Sequence, residues 1–123
     1  MAKHYIPAIF LPKMVHALVD PMRPGVYLLG MGPPFTPGYV GRSDTCLRTR
    51  LSTHNHLGRF EYFIFRYARS PAEAFGLECE YWHALQQDSD RLANKNHPAP
   101  PGFTGLRCPY CQFASSVAEY FVA

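Results

Sequence analysis

The sequence predicts an α+β domain in which a small, mixed sheet of three strands is flanked by helices. Three observations predict it: two short apolar segments separated by a loop rich in Pro and Gly, a later aromatic run with the alternation of a strand, and capping signals before two helical segments. The chain has 123 residues, enough for one domain with one core. A hydrophobic fraction of 47% favours a globular fold over disorder.

Residues 1–24 are expected to form an N-terminal arm that packs on this domain. Residues 5–11 have the pattern of an extended apolar segment that is interrupted by Pro7. Met14–Asp20 is predicted to form a short helix that ends before Pro21. We assign no chemistry to the arm.

Two strands are expected to open the central domain, which spans residues 25–98. Val26–Met31 is the first strand and Tyr39–Gly41 the second. The loop between them, residues 32–38, is too rich in Pro and Gly to be helical. The two strands are therefore expected to form an antiparallel pair.

A helix and a third strand follow. Ser43 or Asp44 can cap a helix from about Thr45 to about His54. Phe60–Tyr67 is aromatic on both of its alternating faces, which is typical of a strand covered on both sides.

The start of the second helix is signalled clearly. Ser70 and Glu73 have the spacing of a capping box, and Pro71 occupies the first helical position. This helix is expected to run to about Gln87.

The distribution of charge is more informative than the total of +3. Residues 42–69 contain six arginines and two carboxylates, whereas residues 73–90 contain five carboxylates and no Lys or Arg. A basic segment beside an acidic one suits phosphate binding next to a metal-binding carboxylate, although two ordinary solvated faces would have the same composition.

The chain carries no recognisable signal peptide and no apolar run approaching the roughly 20 residues of a membrane span. Its four cysteines are scattered, which favours a reducing compartment over a disulfide scaffold. The expected location is the cytoplasm.

Glu78 occupies an unusual position on the second helix. At about 100° per residue, it falls within the apolar arc that contains Ala74, Tyr81 and Leu85, whereas Glu80 falls on the polar side. A carboxylate that faces a core needs a metal ion, a raised pKa or a cationic partner. Two interpretations stay open: a functional carboxylate, or a structural pair with a buried arginine such as Arg50 or Arg66.

Arg50 and His54 lie four residues apart on the first helix and so share one face. Such a pair, with a carboxylate reaching toward it, suits phosphoryl transfer, in which cations stabilise developing charge. For His54 alone, an ordinary histidine at the end of a helix is the alternative.

Together these segments resemble the GIY-YIG nuclease superfamily. Gly25–Tyr27 and Tyr39–Gly41 resemble its paired motif, with Val in place of Ile in both halves. Gly41–His54 is similar to the stretch in which a basic residue follows the second Gly and a helix carries Arg and His. Glu73–Glu78 resembles the second helix with its Glu, and an Asn follows. The resemblance covers residues 25–98 and implies a metal-dependent endonuclease.

The resemblance implies a role for each charged residue. Glu78 would be the single protein carboxylate that binds a divalent ion, Mg²⁺ or Mn²⁺, because magnesium uses few protein ligands and keeps several waters. Arg50 would stabilise the charge of the transition state. Arg42 and Arg48 would contact nucleic acid, and Arg42 stands where many members have Lys.

The remaining roles fall on neutral side chains. Tyr27 and Tyr39 would hold or activate the attacking water, with Tyr27 as the base, although cross-strand packing is the ordinary role of such residues. His54 would hydrogen-bond this tyrosine or the phosphate. Asn96, or instead Asn94, would anchor the end of the site.

The expected partner is DNA, with RNA not excluded and no membrane, for a monomer or homodimer. The alternatives are a catalytically weak nucleic-acid-binding module that keeps the fold, and a small interaction protein stabilised by zinc.

The C-terminal segment, residues 99–123, is rich in Pro and Gly and has a short helix predicted at residues 114–121. Cys108 and Cys111 have the spacing of a zinc ligand pair or of a redox pair. A structural zinc needs further ligands, which two chains could share or which could come from the same chain: His97, His83 or His56. Reduced structural thiols are the alternative.

Overall fold

A computed structural model describes residues 6–86, 92–93, 97–102 and 105–111 and confirms the α+β class. Four strands form one sheet in the order β1-β4-β2-β3, and every neighbouring pair is antiparallel. The elements, in chain order, are β1 (Ala8–Ile9), α1 (Pro12–Leu18), β2 (Gly25–Met31), β3 (Thr36–Ser43), α2 (Leu47–Ser52), β4 (Tyr62–Tyr67) and α3 (Pro71–Gln86).

The prediction of a mixed sheet of three strands is wrong in two respects. The N-terminal arm supplies a fourth strand, in which Ala8 pairs with Phe63 and Ile9 with Tyr62. In addition, β3 and β4 both pair with β2, one on each side. Because the connection through α2 crosses β2, these two strands run in the same direction without pairing, and the sheet of the described residues has no parallel ladder.

Helices cover both faces of the sheet. Tyr27, Leu29 and Phe63 point to one face and form a core with Leu47 and Leu51 of α2. A second set of apolar residues lies on the opposite face, against α3: Val26, Val40, Trp82 and Leu92. The alternation along β2 and β3 therefore determines which helix each side chain meets.

The N-terminal arm belongs to the first of these cores. Phe10, Val15 and Val19 are each no more than 2% exposed. Since they pack beside Tyr27, the arm supports the same region that contains the predicted tyrosines.

The capping signals gave the start of α3 correctly. The Ser70 hydroxyl accepts a hydrogen bond from the backbone N–H of Glu73 at 3.1 Å. The Glu73 carboxylate instead accepts hydrogen bonds from the backbone and guanidinium of Arg69. In the described part of the chain, no helix has the length and apolarity that crossing a bilayer requires.

Candidate functional site

Tyr27 lies at the centre of the candidate site. It is only 1% exposed and sits on β2 directly opposite Gly41 of β3. A Cβ atom at Gly41 would overlap the phenol ring of Tyr27. Glycine at this position therefore allows the ring of Tyr27 to lie across β3 toward α2.

The Tyr27 oxygen receives two hydrogen bonds from the α2 side. The backbone N–H of His56 donates to His54 Nδ1 at 3.0 Å, so the proton of a neutral His54 ring is on Nε2. This Nε2–H lies 2.7 Å from the Tyr27 oxygen, and Arg50 Nε donates to the same oxygen at 3.4 Å. The hydroxyl hydrogen of Tyr27 must therefore point away from both donors.

Burial sets the charge of these groups. It raises the pKa of Tyr27 above its ordinary value, and the hydrogen bond from Arg50 opposes this increase. Burial, with the nearby His56 and Arg50, lowers the pKa of His54 to about 4. Near neutral pH, His54 is therefore an uncharged donor, and Tyr27 keeps its proton until further positive charge arrives.

Tyr39 lies beside this group on β3. Its ring stacks on that of Tyr27, with 6.2 Å between centroids. The rings of His54 and His56 approach it at 5.1 Å and 4.7 Å. Tyr39 is half-buried, so one part of the ring packs and another faces solvent.

Glu78 is 9% exposed, as its position in the apolar arc of α3 predicted. Arg42 Nη1 donates to its Oε1 atom at 2.6 Å, and Arg42 Nε donates to Asp44 Oδ1 at 2.7 Å. Burial raises the pKa of Glu78, whereas the hydrogen bond from Arg42 lowers it. The cationic partner considered in the sequence was Arg50 or Arg66, and the partner found is Arg42.

A polar cavity of about 350 Å³ connects these groups at the edge strand β3. Its lining includes side chains from both faces of the sheet, because Arg42 contacts Glu78 of α3 and Tyr39 contacts His54 on the side of α2. Tyr27 lies directly behind it, hydrogen-bonded to Arg50. Its lining consists of Tyr39, Gly41, Arg42, Ser43, Asp44, Arg50, Glu78 and Ala99.

Among the described residues, three predicted site residues do not line the cavity: Tyr27, His54 and Arg48. Tyr27 and His54 connect to it through Arg50, which donates to the Tyr27 oxygen that His54 also contacts. Arg48 donates to the backbone carbonyl of His16 at 3.0 Å and so connects α2 to α1. Asn94 and Asn96 lie outside the residues that the structure describes. The anchoring role of Asn96 stays a prediction.

Sequence reasoning missed two contributors. Asp44 was interpreted only as a helix cap, yet it lies in the bend that follows β3, two residues after Arg42, and accepts a hydrogen bond from its guanidinium. His56 was considered only as a zinc ligand, yet its backbone fixes the tautomer of His54. The short separation of Arg42 and Asp44 in the sequence could have suggested their ion pair, but nothing in the sequence indicates the contact of His56.

A second group of polar side chains lies at the C-terminal end of α3. The ligand atoms of His83, His97, Cys108 and Cys111 all lie within 4.8 Å of one another. This set of two histidines and two cysteines could hold a metal ion such as zinc. His56 packs beside Tyr39 instead and is not part of the set.

Comparisons with protein-family models, with curated proteins and with solved structures found no match to this chain.

Proposed function

We propose that the protein is an endonuclease that hydrolyses phosphodiester bonds in DNA, or in RNA, with the help of one divalent metal ion. One observation carries this proposal: Tyr39, Arg42, Arg50 and Glu78, from a strand and two helices, line the same polar cavity. These are residues to which the resemblance to GIY-YIG nucleases assigns roles. A cavity with guanidinium groups and a carboxylate suits a phosphate and its counter-ion.

The chain's own residues would divide the work as follows. Arg50 binds the non-bridging oxygens of the phosphate and stabilises the charge that develops on them. Tyr27, as a phenolate, takes a proton from the attacking water while the water oxygen bonds to phosphorus and the ester oxygen leaves with its bonding pair. The N–H groups of Arg50 and His54 stabilise the phenolate, because each donates to its oxygen.

The donor set fits a magnesium or manganese ion at Glu78. A hard carboxylate oxygen borders a polar cavity with room for the water molecules that Mg²⁺ retains. When bound, the ion supplies positive charge that neutralises the phosphate and favours loss of the Tyr27 proton. Arg42 already donates to this carboxylate and would compete with an ion for it.

The same ion pair favours a second candidate, a nucleic-acid-binding module without activity. If Arg42 holds Glu78 permanently, the cavity binds phosphate through Arg50 but recruits no metal. Such a protein would bind DNA under every divalent metal and cut it under none. The cluster at the end of α3 is the observation that favours a zinc-stabilised interaction protein, and zinc there is compatible with either activity of the cavity.

The decisive experiment compares two carboxylates on α3. With Mg²⁺, we expect the purified protein to nick supercoiled plasmid, and Glu78→Ala to lower the rate by about 10²–10³-fold or more. Arg50→Ala should have a comparable effect. The matched control is Glu80→Ala, on the same helix but exposed to solvent, which should retain full activity. Cleavage by Glu78→Ala at the wild-type rate, with contaminating nucleases excluded, would overturn the mechanism.

A further inference from the structure

We propose that His83, His97, Cys108 and Cys111 bind one structural Zn²⁺ ion, which fastens the segment after α3 to the end of that helix. All four ligands come from one chain, one from α3 and three from the segment that follows it. The proposal concerns a site separate from the cavity and does not depend on the cavity's activity.

Three of the four ligand atoms have nearly the spacing of a tetrahedral zinc site. His83 Nε2 and His97 Nε2 are 3.2 Å apart, and Cys111 Sγ lies 3.3 Å and 3.1 Å from these atoms. A tetrahedron with zinc bonds of about 2.0–2.1 Å to nitrogen and about 2.3 Å to sulfur has edges of roughly 3.3–3.8 Å. Small outward movements of these three side chains would accommodate the ion, and Cys108 Sγ, within 4.8 Å of each of them, supplies the fourth ligand.

The orientation of His97 supplies independent support. His97 Nδ1 lies 2.7 Å from the backbone oxygen of Pro98. A carbonyl can only accept, so the ring must donate from Nδ1, and the neutral ring then has its lone pair on Nε2. This lone pair lies toward His83 and Cys111. A histidine that donates one N–H to a backbone carbonyl and presents the other nitrogen is the usual arrangement of a zinc ligand.

The kind of ligand identifies the ion and its role. Two thiolates with two imidazoles suit Zn²⁺ and not Mg²⁺, which prefers oxygen. Four protein ligands leave no position for a reactive water, so the site is structural. Its surroundings are packed: Cys108 is buried against Cys79 and Phe75, and the ring of Trp82 lies 5.1 Å from those of both histidines.

The ion would also position one wall of the cavity. His97 precedes Ala99 by two residues, and Ala99 is the only lining residue of the cavity that comes from the described segments after α3. With His97 attached to α3 through zinc, Ala99 is held close to Glu78. Loss of the ion should therefore loosen this wall as well as the C-terminal segment.

The test measures bound metal and does not require activity. Protein purified with zinc present should contain about one Zn²⁺ per chain, whereas a site shared between two chains would give about half. Cys111→Ser and His83→Gln should each lose most of the zinc. Cys46→Ser and His56→Gln, which alter residues outside the cluster, should retain it, as should Cys79→Ala.

Spectroscopy tests which residues bind the ion and whether the ion holds the segment after α3 against the end of that helix. Substitution with Co²⁺ should give the visible bands of a tetrahedral ion with thiolate ligands. The chain has a single tryptophan, Trp82, so removal of zinc by a chelator should change its fluorescence directly. Zinc content below about one fifth per chain, or zinc unchanged in Cys111→Ser, would overturn the proposal. Loss of zinc in Cys79→Ala but not in Cys111→Ser would overturn the ligand set.

Discussion

The phenol oxygen of Tyr27 accepts hydrogen bonds from two nitrogen donors. Because the two donor side chains differ in burial, only one of them is charged. Arg50 lies at the solvent edge and keeps its charge, whereas the buried His54 is neutral near pH 7. The tyrosine is thus held by one charged and one neutral donor. This arrangement stabilises an anion on the oxygen without placing a second cation in the core.

The low pKa of His54 predicts a pH dependence of stability. As the pH falls below about 6.5, the unfolded chain protonates this histidine first, while the folded chain resists until about pH 4. The stabilisation is therefore complete above about pH 6.5 and is lost as the pH falls toward 4. Between about pH 7.5 and pH 5, we expect the loss to be on the order of 1–2 kcal/mol.

The measurement is urea unfolding at both pH values for the wild type and for His54→Gln. The variant should lose less stability between the two conditions, whatever its stability at neutral pH. His16→Gln, which alters an exposed histidine of α1, is the control and should behave as the wild type. If the stability of His54→Gln and of the wild type depended equally on pH, another group would cause the loss of stability at low pH.

Some residues of the site could be predicted from sequence, because the periodicity of a helix or strand indicates which face each residue lies on. The burial of Glu78 followed from the 3.6-residue repeat of α3. Its partner could not be predicted, because Arg42 meets it only through the packing of β3 against α3, and no local pattern reports such a contact. The same holds for the cavity wall at Ala99.

At the scale of elements, the β2–β3 pair depends on close contact at Gly41. We expect Gly41→Ala to destabilise the fold by about 1–3 kcal/mol, because the added methyl group overlaps the ring of Tyr27, which is buried in the core. Thermal or urea unfolding measures the effect. Displacement of Tyr27 should also weaken its hydrogen bonds to Arg50 and His54.

Gly76 in α3 provides the matched control. Nothing lies within 4 Å of a Cβ atom built at this position, and alanine forms helices better than glycine. Gly76→Ala should therefore stabilise the protein by about 0.5–1 kcal/mol. If Gly41→Ala and Gly76→Ala changed the free energy of unfolding in the same direction, contact with Tyr27 would not be the reason for glycine at position 41.

The elements were predicted to different degrees. The start of α3 follows from its capping residues, and β2 and β4 from their apolar and aromatic runs. The strand β1 was missed because two residues are too few to show an alternation. The sheet was called mixed, because directions depend on which strands become neighbours, and this is decided by the long-range packing of α2.

At the scale of the whole molecule, a net charge of +3 gives a weak general attraction to nucleic acid, so binding should depend mainly on the cavity. With about two phosphates contacted, affinity for a short duplex should fall by roughly tenfold between 50 and 200 mM salt. Fluorescence anisotropy with Ca²⁺ in place of Mg²⁺ measures this. Arg50→Gln should reduce the salt slope by about one, whereas Arg69→Gln, outside the cavity, should change it little.

The affinity for DNA could instead depend much more steeply on salt concentration, with no change in Arg50→Gln. The phosphate contacts would then lie on another surface. The cavity would then have to be reconsidered as a site for a smaller anion.

The contact between Arg42 and Glu78 makes the cavity respond to two ligands of opposite sign. A cation that binds the Glu78 carboxylate would leave Arg42 paired with Asp44 alone, and an anion that binds Arg42 Nη1 would leave the Glu78 carboxylate without this partner. Binding of either ion therefore increases the affinity of the cavity for the other. By thermodynamic linkage, the two affinities increase by the same factor. Without ligands, such a cavity is nearly neutral. It binds a cation or an anion weakly when only one is present, and binds both more tightly when they are present together.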